Sequence, residues 1–110
     1  MAAKLLENMA AEQEANSVAA RYMNSGDVLG DMRRDYGSRL DGVRLHEDGA
    51  AQARVQAAGR DAIASGQDVY FRAGILGSSD PAARGLVAHE MTHVMQQGQG
   101  SIIDWARNRG

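Results

Sequence analysis

Asp80-Pro81-Ala82-Ala83-Arg84-Gly85-Leu86-Val87-Ala88-His89-Glu90-Met91-Thr92-His93-Val94-Met95-Gln96-Gln97 is the stretch on which the fold turns. Asp80 has the short acceptor side chain of an N-cap, and Pro81 suits the first helical position, where a missing N–H costs nothing. The helix they open is predicted to run to about Gln97, with Gly98 as its stop. Within it lies H-E-x-x-H, formed by His89, Glu90 and His93. At about 100° per residue, positions four apart stand one above the other, so both imidazoles reach one cation. Glu90 falls beside that face, where a carboxylate takes a proton from attacking water and returns it to a leaving amine. Val87, Met91, Val94 and Met95 share an arc roughly opposite the histidines. One face is thus expected to pack on a core while the other looks into a cleft. Gln97 is placed on the histidine face, within reach of substrate; Thr92 and Gln96 read as ordinary polar helix residues.

Chance is a poor explanation for the motif. With three His and five Glu among 110 residues, it would arise on the order of a few times per thousand such chains. Two histidines do not complete a catalytic zinc site, which usually has three protein ligands and a water. The chain has no cysteine, so the ligands must be His, carboxylate or water, and no disulfide framework is available. The extended motif with a third His is absent, since Gln97-Gly98-Gln99 stands where it would begin. His46 is the remaining histidine, and Asp104 is the leading carboxylate alternative. Glu47 and Asp48 are placed to orient His46 from behind.

Outward from the motif, residues 3–24 read as a helix with a partly apolar stripe (Leu5, Leu6, Met9, Val18, Tyr22, Met23) and a polar face that includes Glu7, Glu12, Glu14 and Arg21. Alanines alone carry the middle of the stripe, which predicts first turns that are loosely held or docked on a partner. After the break at Asn24-Ser25-Gly26, Asp27 caps a second helix that Gly37 stops. Leu40 to His46 alternates like a half-buried strand, and residues 49–59 are helical by propensity. Ala62-Ile63-Ala64 and Val69-Tyr70-Phe71 flank a glycine turn and predict a hairpin. Two of Val69, Tyr70 and Phe71 are expected in the core, with an edge role toward an extended peptide left open. The order of elements predicts a small α+β domain with the H-E-x-x-H helix central. The divisions are an N-terminal helix at 1–26, a core at 27–98 and a tail at 99–110.

Net charge is −2, from 12 basic and 14 acidic residues without a basic block, which argues against a nucleic-acid partner. No apolar run approaches the ~20 residues of a membrane span, and the first eight residues do not read as a secretory signal. A protein made in the cytoplasm is expected, without a membrane partner.

Three segments together resemble a known family: Tyr36-Gly37 with Leu40-Asp41-Gly42-Val43-Arg44-Leu45-His46, Gly66-Gln67-Asp68-Val69-Tyr70-Phe71, and Arg84 to Gln97. Their order and spacing over roughly residues 28–97 are similar to the metallopeptidase-like core domain of proteins associated with bacterial extracellular contractile injection systems. The family usually has glycine after the strand aromatic, where this chain has Arg72 and Ala73 before Gly74. The resemblance implies a zincin-like fold and a leader or processing role on effectors or toxins loaded into phage-tail-like injectors, while the zinc cofactor is read from the motif itself. It also favours His46 as third ligand, because the family pattern carries a histidine there. Two functions follow. One is a zinc peptidase acting on itself, on a fused or neighbouring effector or on another protein, with Glu90 as base and acid. The other is a packaging module that keeps the metal-binding fold and docks through its N-terminal helix, without catalysis.

Overall fold

A computed structural model describes the backbone of residues 2–99 and the side chains of residues 9–97. Among the described residues, four helices and one three-stranded sheet make an α+β fold: α1 (Ala2–Tyr22), α2 (Val28–Tyr36), a 3-10 turn (Gly37–Leu40), β1 (Arg44–His46), α3 (Gly49–Ala58), β2 (Ala62–Ser65), β3 (Asp68–Phe71) and α4 (Pro81–Gln99). The expected hairpin, the N-caps Asp27 and Asp80 and the central motif helix are present. The expected tail, with Asp104, lies outside the described residues.

Local chemistry fixes most boundaries. Asp27 accepts from the Gly30 backbone N–H, and Gly37 ends α2 at φ 56°. Asp80 accepts from the Ala82 N–H at 3.0 Å and its carbonyl from the Arg84 N–H, so it caps α4 as its side chain predicts. Two boundaries differ from the sequence reading. The first strand is three residues long rather than seven, because Leu40 is drawn into the 3-10 turn and Gly42 turns the chain at φ 83°. Gly98 lies inside α4 instead of ending it. An interior glycine costs about 1 kcal/mol against alanine and becomes a stop where the backbone turns left-handed, as at Gly59 with φ 65°.

The sheet order is β1-β3-β2, with β1 parallel and β2 antiparallel to β3. The central strand is therefore β3, which excludes the edge-strand role left open for Val69 to Phe71. Val69 and Phe71 are fully buried and Tyr70 is half-buried, the alternation of a strand with one face on the core. Val87, Ala88, Met91, Val94 and Met95 of α4 join them in the same core with Met32, Tyr36 and Leu40.

Arg39 anchors the motif helix from below. It is buried, and its guanidinium donates to the Met95 carbonyl at 2.7 Å. Burial pushes its proton affinity down, and the Glu14 carboxylate opposes that shift. Arg39→Ala is expected to lower unfolding free energy by about 1.5–3 kcal/mol, the range for a hydrogen bond with a charged partner, in urea denaturation.

Candidate metal centre

Helix α4 holds His89 and His93 one turn apart, with their Nε2 atoms 3.1 Å from each other. Two nitrogens sharing a tetrahedral zinc at 2.0–2.1 Å would lie about 3.3 Å apart. The side chains retain 19% and 21% of their exposure, so the rings are neither free in solvent nor sealed in the core. Burial, and next the neighbouring His93, lower the proton affinity of His89. That favours the neutral imidazole, the form a cation requires.

The histidine face is not an open cleft. Helix α1 lies along it, burying Ala15, Val18 and Tyr22. The alanines that thin its stripe are what permit close approach: Ala19 and Met23 lie against Gly85 of α4, where an added Cβ would sit 3.1 Å from Met23 Cγ. From Ala11 onward, α1 is thus docked on α4.

This docking brings Glu12 to the histidines. Its Oε1 is 2.7 Å from His93 Nε2 and its Oε2 is 3.6 Å from His89 Nε2. Ligand atoms from Glu12, His89 and His93 all lie within 4.8 Å of one another. Gln96 organises the cluster. Its Oε1 accepts from His93 Nδ1 at 2.9 Å, while its Nε2 donates to the Ala11 carbonyl and to Glu14 Oε1, each at 2.9 Å. An Nδ1–H donated to Gln96 turns the Nε2 of His93 toward a carboxylate and a second imidazole. Such a meeting of acceptors requires a proton or a cation between them, and the donor set and spacing suit zinc.

His46 is not brought to this cluster. Its Nε2 is 2.9 Å from Asp68 Oδ1 and its ring stacks on Tyr70 at 4.8 Å. The parallel register explains this. Asp68 lies opposite Arg44, and Arg44 and His46 share one strand face, so one carboxylate serves both. Arg44, and after it His46, hold Asp68 well below the usual carboxylate range. Glu47 and Asp48 do not orient His46 as expected. Glu47 accepts from the Leu76 N–H, and Asp48 caps α3 through the Ala51 N–H. Gln97 also points elsewhere, accepting from the Gly66 N–H at the hairpin turn.

Glu90 sits beside the histidines at 8% exposure. Desolvation raises the proton affinity of its carboxyl, an effect that His93 and Arg60 partly oppose. With His89 it lines a groove of about 560 Å³ between the end of α1, the α3–β2 connection and α4; Arg60, Asp61 and Leu86 complete its walls. A carboxyl of raised proton affinity therefore faces an opening large enough for a peptide segment.

A family model described as the eCIS core domain matches residues 24–101. The chain belongs to the eCIS core domain family. That membership associates it with extracellular contractile injection systems, and with their components as partners. No curated protein and no solved structure matches the chain. The eCIS core match includes His46, His89, Glu90 and His93 and begins after α1, so Glu12 comes from outside it. Glu12 is the site residue that sequence reasoning missed. Its signal was faint: Ala15 and Ala19, three and seven positions on, mark the α1 face that approaches α4. Among the described residues no helix is long and apolar enough to cross a membrane.

Proposed function

We propose that this eCIS core domain is a zinc-dependent peptidase of the H-E-x-x-H type. It acts on itself, on a fused or neighbouring effector, or on another protein handled by a contractile injection system. The observation that carries the reading is the 3.1 Å approach of the two Nε2 atoms, with Glu90 beside them in an open groove. His89 and His93 would hold the ion, which when bound would supply Lewis acidity toward a scissile carbonyl and a water acidic enough to be activated near neutrality. Glu90 removes the proton from the attacking water and delivers it to the departing amine, and its burial tunes it for both directions. Gln96 fixes the tautomer and orientation of His93. Arg60, on the groove wall, offers positive charge to a developing oxyanion or to a substrate carboxylate. In this reading the working parts are an N-terminal helix at 1–26, a zincin-like core at 27–98 and a tail at 99–110. The domain is made in the bacterial cytoplasm and exported through the injector.

One observation favours the alternative, a non-catalytic packaging module: α1 lies over the histidines and restricts approach to them. The test is to incubate the zinc-loaded chain alone and with a mixture of unfolded polypeptides, then search for new termini by mass spectrometry. Zinc-dependent new termini support the peptidase. Zinc binding without any cleavage leaves the packaging module.

A further inference from the structure

The geometry points to Glu12 as the third protein ligand of the metal centre, so that the centre is assembled from two pieces of chain. The family domain supplies two imidazoles, and the helix that precedes it supplies the carboxylate. This rests on the reading that His89 and His93 hold a divalent cation.

Three observations carry it. The first is distance: Glu12 reaches both nitrogens, at 2.7 Å from one and 3.6 Å from the other, which bracket the roughly 3.3 Å between atoms that share a tetrahedral ion. The second is the helix register. Ala15, Val18 and Tyr22 are buried, which fixes the rotation of α1 and directs position 12 at α4. The third is Gln96, whose single amide holds His93 from one side and grips the Ala11 carbonyl and Glu14 from the other. Gln96 is a positioning residue that ties the orientation of a ligand ring to the seating of the helix bearing the third ligand. Glu12 is itself 58% exposed, so solvent competes for it and its place depends on α1 remaining docked.

The chemical class follows from the donors. Two imidazoles and one carboxylate suit zinc or a neighbouring first-row divalent ion, and not magnesium or calcium. Metal binding and α1 docking are then linked, because an ion that binds only the assembled site stabilises the docked helix by mass action. Loss of the ion loosens α1, and displacement of α1 lowers affinity for the ion.

The test uses the full chain at neutral pH, with zinc affinity read by competition against a chromophoric chelator. Glu12→Ala is expected to weaken zinc binding about 100-fold or more, at or beyond the upper end for loss of an outer-shell partner. Gln13→Ala, at the neighbouring exposed position of α1 and outside the ligand group, is expected to bind zinc as the parent does. Hydrogen exchange supplies the second readout: zinc slows amide exchange along α1 in the parent and does not in Glu12→Ala. Glu12→Gln, which preserves size and helix propensity, covers the case in which alanine disturbs packing, and is also expected to bind zinc less tightly. Parent-like affinity in both Glu12 variants, with binding still lost in His93→Ala, overturns the role of Glu12 and spares the histidine site. A parent protein that takes up no zinc overturns both.

Discussion

Replacing Glu90 by glutamine is expected to lower peptide-bond hydrolysis by about 100- to 10,000-fold, the usual contribution of a positioned acid–base group, with zinc binding retained. Glutamine matches the shape of Glu90 but cannot accept the proton of attacking water. Because the Glu90 carboxyl is buried and its proton affinity raised by desolvation, the charged form opposes folding at neutral pH. The neutral amide relieves that cost, so thermal stability should hold or rise while turnover collapses. Steady-state cleavage, chelator competition and a melting curve on the same preparation check the three parts. Cleavage at the parental rate in Glu90→Gln would remove Glu90 from the chemistry.

Phe71→Ala is expected to lower unfolding free energy by about 3–5 kcal/mol. Phe71 is fully buried on the central strand, in the core that also receives Met91 and Met95 from the motif helix. Its truncation removes transfer free energy and leaves a cavity that its packed neighbours only partly close. Domains of this kind hold only about 5–15 kcal/mol in total, so a substantial part of the stability disappears. Urea unfolding with an unchanged denaturant slope checks it. Zinc should partly restore the variant, since an ion bound only by the folded form shifts the balance toward it.

These effects separate what was legible in the sequence from what was not. Caps and turns are local, and Asp27, Gly37, Gly66 and Asp80-Pro81 act where their side chains or glycine backbone dictate. The pairing of His89 with His93 is likewise a property of one helical turn. The third ligand position is tertiary. No periodicity in residues 2–22 says which rotation of α1 meets α4, and Glu12 is presented only because small residues let the helices approach. His46 was misplaced for a related reason: alternation shows that a strand is half-buried but not which neighbouring strand meets its polar face. Only the parallel register of β1 on β3 delivers Asp68 to His46. Gln97 was a phase error. At 100° per residue, the position three beyond His93 and seven beyond His89 is Gln96, and Gln96 is the one bonded to His93.

The central claim is that one helical turn gathers His89 and His93 around a shared cation. It is tested most directly by titrating zinc into chelator-stripped protein at neutral pH and comparing the parent with His89→Ala and His93→Ala. One equivalent bound by the parent, and lost in both variants with the fold unchanged by circular dichroism, is the expected result. Failure of the parent to bind zinc, or equal binding by all three proteins, would contradict it.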